Sequence, residues 1–354
     1  MPKVLRVPLD VILSLTNKCT MKCKHCFASS GIISYHEMDL NEWKNTVDKV
    51  SDVKILGVTF SGGEPLMLPW FPKLLEHTIS KRISCSLNTN AALVDDDMAS
   101  FLASAPLRGI INVSFDGADA ETYESLRGVN AYDDVLRGIH ALVRHGLAVR
   151  LSCVVNKYNF TKMLDITKKA LELGCKNIDF NGLCVVGTCA DYEKEITLNY
   201  EEIVYVYKNM MELFEVYGNF VGGTIYNCAK MYFTYLERKK AGKHINSSLN
   251  SVGCGNGKTS MVIYSDGHVS PCEMLKSKNC GNIFKQSLSE IWNTSKIMND
   301  FRKLYNTPLS NLQNCSDCFV NDICLGGCRA IPYLNGNILG TDPSCLRSII
   351  EECD

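Results

Sequence analysis

The sequence has no long hydrophobic run, since apolar residues never continue for the roughly 18 positions that a membrane-spanning helix needs. It also has almost no net charge, because 37 basic and 38 acidic side chains leave a balance of -1. Without a basic excess, nucleic acid is not expected as a partner. A basic N-terminal leader followed by an apolar segment is absent as well. We therefore expect a cytoplasmic protein that neither crosses a membrane nor binds nucleic acid.

Cysteine is the residue that the sequence has in excess. The chain has 18 cysteines among 354 residues, and many of them are clustered at short spacings. In an exported chain this number would indicate disulfides, but without a leader the clustered spacings favour metal ligation. Clusters of thiolates also predict a reducing, oxygen-poor setting.

The first cysteine cluster lies near the start of the chain. Cys19, Cys23 and Cys26 have C-x3-C-x2-C spacing, directly after an apolar run that is typical of a strand. Three thiolates on one short loop can converge on a metal centre, and cysteine is the usual ligand of iron-sulfur clusters. Three protein ligands on a four-iron cube leave one iron open to a small molecule. The loop therefore indicates catalysis more than electron storage.

Apolar runs and helical patterns alternate six times over the first half of the chain. This alternation predicts an α/β protein with a parallel sheet or barrel, two units short of a closed (β/α)8 barrel. The predicted strands are 11–15, 55–60, 83–87, 110–115, 149–155 and 177–180. The predicted helices between them are 40–50, 70–80, 95–103, 132–145 and 160–173.

The second half of the chain has a different pattern. Helical patterns at 199–217 and 226–240 lead into the polar stretch 241–257, which predicts a domain boundary. Beyond it, 261–271 is typical of a hairpin with a tight Asp-Gly turn. We therefore predict three parts: a barrel (1–198), a helical bridge (199–250) and a small cysteine-rich domain (251–354).

A second motif, Gly62-Gly63-Glu64-Pro65, follows the second predicted strand. In parallel βα folds, ligands lie at the carboxyl ends of the strands, where the first cysteine loop also falls. Two glycines let the backbone approach a ligand closely, and Glu64 offers an acceptor for an amino group. Alone the motif is an ordinary turn, but its position beside the cysteine loop makes it a candidate binding site.

Together, the three-cysteine loop and the Gly-Gly-Glu motif resemble the signatures of the radical S-adenosylmethionine (SAM) superfamily. The resemblance covers about residues 11–183 and implies a partial (β/α)6 barrel. It implies that Cys19, Cys23 and Cys26 hold a 4Fe-4S cluster, whose open iron is chelated by the amino and carboxylate groups of SAM. In that superfamily, one-electron reductive cleavage of SAM yields a 5'-deoxyadenosyl radical, which abstracts hydrogen from the substrate.

The resemblance extends to further cofactor contacts. By resemblance, the motif Gly62, Gly63 and Glu64 would bind the methionine end of SAM. Four other positions match residues that contact the cofactor in related enzymes: His25 and Leu183 near the adenine, and Ser114 and Arg127 near the ribose and carboxylate. Without the resemblance, these four would be a loop histidine, a loop leucine, a strand-end hydroxyl and a surface cation.

The C-terminal cysteines resemble the SPASM domain that some radical SAM enzymes carry. Cys254 and Cys272 flank Gly267 at distances of twelve and four intervening residues. The remaining members of the set are Cys315, Cys318, Cys324, Cys328 and Cys345. A zinc ribbon is the competing interpretation, since four cysteines can also enclose a zinc ion.

The SPASM resemblance implies two auxiliary iron-sulfur clusters, which we expect to be of the 4Fe-4S type. One would be held by Cys315, Cys318, Cys324 and Cys345. The other would be held by Cys254, Cys272 and Cys328, with Cys280, another thiol or no protein ligand in the fourth position. Cys184, Cys189 and Cys228 fall in a region expected to face the cavity mouth, as structural thiols or as ligands.

The resemblance implies a peptide or protein substrate that receives a thioether or carbon-carbon crosslink, an epimerisation or an oxidation. Glu273, directly after Cys272, is the candidate acid/base. A sulfatase-maturing relative has Asp at that position and a further cluster cysteine in the region that matches 255–261, which has none here. Sulfatase maturation, a small-molecule substrate such as a tetrapyrrole side chain, and a non-catalytic electron carrier remain alternatives.

The same resemblance predicts two kinds of protein partner. A flavodoxin or ferredoxin-type protein would supply the electron for SAM cleavage. Only about ten residues precede the first predicted strand, which leaves no room for the N-terminal peptide-binding module that many peptide-modifying relatives carry. A separate leader-peptide-binding protein is therefore a further expected partner.

Overall fold

The computed structural model describes residues 5–31, 36–105, 109–243 and 252–351. All ten strands of this part form one sheet, in the order β10-β9-β8-β1-β2-β3-β4-β5-β6-β7. The strands are β1 Asp10–Ser14, β2 Gly57–Ser61, β3 Ser84–Thr89, β4 Ile111–Ser114, β5 Val149–Val154, β6 Asn177–Asn181, β7 Val221–Gly222, β8 Ser260–Tyr264, β9 His268–Ser270 and β10 Gly281–Asn282.

Helices lie between most of the successive strands of this sheet, and further helices follow its last strand in the sequence. The α-helices are α1 Leu40–Asp52, α2 Phe71–Ser80, α3 Asp96–Ser104, α4 Ala120–Arg127, α5 Tyr132–Arg144, α6 Met163–Glu172, α7 Glu193–Ile196, α8 Tyr200–Tyr217, α9 Thr224–Ala241, α10 Leu288–Thr294, α11 Lys296–Lys303, α12 Asn321–Cys324, α13 Ala330–Leu334 and α14 Leu346–Glu351. The 3₁₀ helices are Pro65–Met67, Gly187–Tyr192, Gly218–Phe220, Glu273–Leu275, Leu304–Asn306 and Leu309–Asn311.

The six predicted strands are all present, as β1 to β6, with bounds that differ from the prediction by two residues at most. They pair in parallel in chain order, which is the predicted partial barrel. The five helices predicted between them are also present, as α1, α2, α3, α5 and α6. The short helix α4, which the pattern did not predict, begins at the cap residue Asp119, whose carboxylate accepts from the backbone N–H of Thr122.

The predicted hairpin is present as β8 and β9, and its turn needs a glycine. Gly267 has a φ of +82°, which L side chains rarely adopt, and its backbone N–H donates to the carbonyl oxygen of Tyr264 over 2.9 Å. Strand β8 then pairs in parallel with β1, so that Leu13 lies opposite Ile263. The sheet of the barrel therefore continues into the C-terminal segment. Part of the predicted boundary, residues 244–251, lies outside the described residues.

The described residues form three hydrophobic clusters, of which two are large. The larger one fills the space between the sheet and its helices, and it includes Trp43, Phe60 and Phe180 from the barrel as well as Trp292 from α10. The smaller one lies in the C-terminal segment around Phe301, and Cys254, Cys272 and Cys315 pack against it. Among the described residues, no helix is both long and apolar enough to span a membrane.

Candidate active site

A cavity of about 610 Å³ opens at the carboxyl ends of β1 to β6. Nine of the predicted site residues line it, although they come from distant parts of the sequence. The predicted residues in its lining are Cys19, Cys23, His25, Cys26, Gly62, Gly63, Ser114, Arg127 and Glu273. Because the carboxyl ends of parallel strands meet at one edge of the sheet, the fold brings these residues to one place.

The first cysteine loop is held by backbone contacts on both sides. The backbone N–H of Cys26 donates to the carbonyl oxygen of Cys23 over 3.2 Å. The backbone N–H of Lys22 donates to the carbonyl oxygen of Arg127 over 3.0 Å. At the start of the loop, the Glu37 carboxylate accepts from the Thr16 hydroxyl over 2.7 Å and from a backbone N–H. None of the three loop cysteines is in a disulfide, and these hydrogen bonds hold the loop that carries them in place.

The two glycines of the Gly-Gly-Glu motif permit close contact between two loops. A Cβ on Gly62 would lie 2.6 Å from the carbonyl oxygen of Thr16, and one on Gly63 would lie 2.0 Å from that of Lys18. Gly62 also has a φ of +130°. Any side chain here would push the first cysteine loop away from the β2 end, so these glycines fix the position of that loop as well as lining the cavity.

Glu64 lies behind the cavity lining and is fully buried. Its carboxylate accepts from the Thr89 hydroxyl over 2.8 Å and from the backbone N–H groups of Asn90 and Leu66 over 2.7 and 3.1 Å. Burial raises the pKa of Glu64, while these three donors lower it. In this structure Glu64 therefore joins the ends of β2 and β3, and both of its oxygens are engaged by the chain itself.

A buried ion pair joins α4 to the loop that follows β4. Arg127 and Asp116 are 6% and 0% exposed, and the guanidinium of Arg127 contacts the carboxylate. The same guanidinium lies 3.6 Å from the sulfur of Cys23. His25 approaches Asp116 to 3.7 Å, and burial lowers the pKa of its imidazole to about 4, which keeps the ring neutral. Arg127 thus places a fixed positive charge beside the first cysteine loop.

A row of amide and hydroxyl side chains, of which the sequence analysis named only Ser114, lines the barrel interior. We call it the amide belt, and its members are Ser61, Asn88, Asn112, Ser114, Ser152 and Asn181. Asn112 donates to Asn88 over 3.0 Å, and Asn181 donates to Ser152 over 3.1 Å. The available signal was the alternation of half-buried, mostly polar residues with buried, mostly apolar ones in β3 to β6, because a parallel strand covered on both faces is usually apolar throughout.

Glu273 reaches the same cavity from the C-terminal segment. Its carboxylate accepts a hydrogen bond from the Ser61 hydroxyl over 3.0 Å. Burial raises the pKa of Glu273, and the Ser61 hydrogen bond opposes this only in part. A carboxyl group that borders the cavity and has a raised pKa can act as an acid or a base on a bound substrate.

In two groups of C-terminal cysteines the charges of neighbouring thiols affect one another. Burial raises the pKa of Cys272 to about 12, and charges on Cys254 and Cys328 raise it further, so these three thiols are neighbours. In the second group, burial likewise raises the pKa of Cys324 to about 12. The charges of its neighbours Cys315, Cys318 and Cys345 raise it further.

Three candidate residues lie away from the positions considered for them: Glu64 is behind the cavity lining, as described above, and the other two are Leu183 and Cys280. Leu183 packs in a small apolar cluster with Leu126, Cys189 and Ile196. Its chain neighbours Gly182 and Cys184 line the cavity, but Leu183 itself does not. Cys280 interacts with Ser295, the backbone of Met298 and Arg302 instead of with the other C-terminal cysteines. Neither position was recognisable from sequence, because both depend on how loops pack after the strands are formed.

The donor atoms of the site fit iron-sulfur clusters. Among the residues that the structure describes, no three His, Cys, Asp or Glu side chains converge on the position of a single metal ion. In a 4Fe-4S cube each thiolate binds a different iron, so the sulfurs need not meet at one point. Beside the first cysteine loop, the buried Nδ1 of His25 and Nε of Arg127 have no hydrogen-bond partner in the chain, which suits a polar ligand bound there.

Comparison with known proteins identifies the class. Residues 13–172 match the radical SAM superfamily, and 254–319 match SPASM, an iron-sulfur cluster-binding domain. The chain is 28% identical to the AdoMet-dependent heme synthase of Methanosarcina barkeri over 349 residues (96% of each chain). It is 24% identical to the mycofactocin maturase MftC of Mycobacterium tuberculosis over 348 residues, which cover 97% of this chain and 84% of the maturase.

A solved structure has the same fold. Streptococcus suis SuiB, bound to its precursor peptide SuiA, superimposes with a TM-score of 0.76 at 18% identity, covering 97% of this chain and 76% of SuiB. The chain therefore has a radical SAM domain followed by a SPASM domain, and it is a radical SAM enzyme of the SPASM type. Its cofactors are SAM, the 4Fe-4S cluster that binds SAM, and auxiliary iron-sulfur clusters. These findings confirm the resemblance drawn from the motifs.

Proposed function

We propose that this enzyme modifies a peptide or protein, by hydrogen abstraction that leads to a crosslink, an epimerisation or an oxidation. The observation that supports this most directly is the amide belt. Asparagine and serine side chains both donate and accept hydrogen bonds, and these are the groups that a peptide backbone offers. A cavity lined in this way suits a neutral, amide-rich chain.

The charges of the cavity support the same substrate class. Arg150 lies 3.5 Å from the Asp179 carboxylate, and Arg127 is paired with Asp116. Both arginines of the lining are thus compensated by carboxylates of the chain itself. A substrate with several carboxylates would have to compete with these ion pairs, whereas a peptide backbone leaves them intact.

We assign the cofactor ligands from the grouping of the thiols. Cys19, Cys23 and Cys26 would hold the cluster that binds SAM, with Gly62, Gly63, Ser114, Arg127 and the backbone of His25 as the nearest candidates to contact SAM. The auxiliary clusters would be held by Cys254, Cys272 and Cys328, and by Cys315, Cys318, Cys324 and Cys345. With these groups bound, the site supplies a 5'-deoxyadenosyl radical that abstracts hydrogen.

The chain's own residues would then position the substrate and move a proton. The amide belt would hold the substrate backbone across the open end of the barrel, and the Arg127 guanidinium would fix a positive charge beside Cys23. Glu273 would take a proton from the substrate, with its carboxylate oriented by Ser61. The expected partners are a flavodoxin or ferredoxin-type reductant and a separate protein that binds the leader part of the substrate.

A tetrapyrrole is the second candidate substrate. It is favoured by the similarity to the heme synthase of Methanosarcina barkeri, which extends over 96% of each chain. A tetrapyrrole with carboxylate side chains needs cationic groups in its site. Both arginines in the cavity lining already have carboxylate partners, and the third cation there is Lys22. We therefore rank the peptide substrate first.

One experiment compares the two candidates. The enzyme is reconstituted anaerobically with iron, sulfide, SAM and a reductant, and it is incubated in parallel with iron-coproporphyrin III and with the products of short reading frames neighbouring its gene. A mass change in one of the peptides, with stoichiometric 5'-deoxyadenosine, supports the proposal. Loss of mass from the tetrapyrrole, with every peptide unchanged, would overturn it.

A further inference from the structure

The three sulfurs of the first cysteine loop face different hydrogen-bond donors. Two of them lie near backbone N–H groups of the loop itself. The N–H of Met21 is 3.5 Å from the sulfur of Cys19, and the N–H of Ser30 is 3.4 Å from the sulfur of Cys26. Cys19 and Cys23 also face side chains that other parts of the barrel supply. These side chains can act on the cluster ligands without belonging to the loop.

The first of these side chains is Asn90, which directly follows β3, lines the cavity and is 5% exposed. Its side-chain oxygen accepts from the backbone N–H of Ala92 over 3.0 Å. Because a backbone N–H can only donate, this contact determines which end of the amide carries the oxygen. The amide nitrogen therefore points the other way, where it donates to the Thr20 hydroxyl over 3.0 Å and lies 3.9 Å from the sulfur of Cys19. Its two N–H groups serve these two acceptors.

Glu64 holds Asn90 in this position. The buried Glu64 carboxylate accepts from the backbone N–H of Asn90 over 2.7 Å and from the Thr89 hydroxyl over 2.8 Å. The backbone N–H of Glu64 donates to the carbonyl oxygen of Lys18, which precedes Cys19, over 2.7 Å. The Gly-Gly-Glu motif thus contacts the first cysteine loop directly and also through Asn90.

The second side chain is Arg127, whose orientation is fixed by its ion pair. The buried guanidinium contacts one carboxylate oxygen of Asp116, and the other oxygen accepts from the backbone N–H of Val154 over 2.7 Å. In this position Nη1 of Arg127 lies 3.6 Å from the sulfur of Cys23. A charged donor forms a stronger hydrogen bond than a neutral one. Cys23 therefore faces a stronger donor than Cys19 does.

We infer that Asn90 and Arg127 raise the reduction potential of the cluster that binds SAM, by donating hydrogen bonds to the ligand sulfurs of Cys19 and Cys23. One electron from the flavodoxin or ferredoxin-type reductant makes this cluster more negative, and no proton is transferred. Donors on the sulfurs stabilise the more negative state, and hydrogen bonds to sulfur are among the factors that set cluster potentials. The inference rests on the proposed assignment of Cys19, Cys23 and Cys26 to this cluster, and it is independent of the substrate.

A redox titration followed by electron paramagnetic resonance tests the Asn90 donor. In the reconstituted full-length enzyme, the signal that changes on addition of SAM identifies the cluster with an open iron, and its potential is measured without SAM. Asn90→Leu has a similar shape but no donor. We expect its reduction equilibrium constant to fall about tenfold, which is about 59 mV for one electron. Asn88→Leu is the matched control, because the Asn88 amide lines the same cavity but meets Ser61 and Asn112. Its potential should equal that of the wild type.

The double variant Asp116→Asn/Arg127→Met tests the charged donor without leaving a buried charge unpaired. We expect its potential to fall further than that of Asn90→Leu. A wild-type potential in either variant, or an equal shift in Asn88→Leu, would overturn the inference.

Wild-type enzyme labelled with ¹⁵N in its asparagine amides or arginine guanidinium groups replaces a variant that does not fold. Pulsed electron paramagnetic resonance of the SAM-sensitive signal should then show a ¹⁵N coupling, and a missing coupling would overturn the inference. A wild type without any SAM-sensitive signal would instead refute the assignment of Cys19, Cys23 and Cys26, which separates the two failures.

Discussion

The side-chain amine of Lys276 donates hydrogen bonds to Asn17 Oδ1 over 2.8 Å and to the carbonyl oxygen of Ala28 over 3.0 Å. Lys276 belongs to the SPASM domain, whereas Asn17 and Ala28 lie on either side of the three-cysteine loop of the barrel. Burial lowers the pKa of Lys276, while the nearby Cys26, Asp266 and Glu37 oppose that shift. One lysine thus ties the SPASM domain to the first cysteine loop of the barrel.

Replacing Lys276 should loosen the first cysteine loop. Lys276→Met keeps the length of the side chain but removes two hydrogen bonds from a charged donor, which we expect to cost about 2 kcal/mol of unfolding free energy. The measurement is anaerobic denaturant unfolding, together with iron content per chain. Lys285→Met, at an exposed position, is the matched control. Equal unfolding free energies for the two variants would contradict the role of Lys276.

The ion pair of Arg127 and Asp116 should contribute strongly to the free energy of unfolding, because both side chains are buried. Arg127→Met leaves the Asp116 charge without its partner, and we expect a loss of about 3–5 kcal/mol. Adding Asp116→Asn in the double variant should recover part of this loss. Arg137→Met, which breaks an exposed pair with Asp134, should cost at most about 1 kcal/mol. If the losses of unfolding free energy in Arg127→Met and Asp116→Asn simply added up in the double variant, the two residues would not be paired.

Iron content tests the division of the cysteines into three cluster sites. The reconstituted wild type should bind about twelve irons per chain, and C19A/C23A/C26A should bind about eight, because each full cluster contributes four. Cys85→Ala, at a buried strand position, should leave the wild-type content unchanged. A wild-type content near four would mean that the SPASM cysteines do not hold clusters.

The sequence predicted the elements of the barrel better than the details of its site. Periodic apolar patterns predicted β1 to β6, and the spacing of Cys19, Cys23 and Cys26 predicted the chemistry, because both signals are local. The pairing of β8 with β1 and the contact of Lys276 with Asn17 join residues about 250 positions apart, and no local pattern encodes them. Glu64 shows a related limit of prediction from sequence. Its residue type predicted a hydrogen-bond acceptor, but the packing of β3 against it determined which donors it meets.

Glu273 offers a pH-dependent test of the proton transfer in the proposed function. Its pKa is raised by burial, so the carboxyl holds its proton to a higher pH than an ordinary glutamic acid. If the carboxylate is the base, the amount of product per 5'-deoxyadenosine should fall as the pH is lowered through that raised pKa. Cleavage of SAM itself, which does not involve Glu273, should fall less.

The matching variants separate the chemical role of Glu273 from its packing. Glu273→Gln keeps the hydrogen bond from Ser61 but cannot accept a proton, and we expect roughly 10²–10⁴-fold less product. Glu273→Asp should retain part of the activity, and Glu290→Gln, in the exposed first turn of α10, should have no effect. The measurement is the amount of product formed per SAM cleaved. It uses the substrate that the mass-change experiment identifies. An unaltered ratio in Glu273→Gln would show that the proton leaves through another group, because the amide can replace the carboxylate in shape and hydrogen bonding but not in basicity.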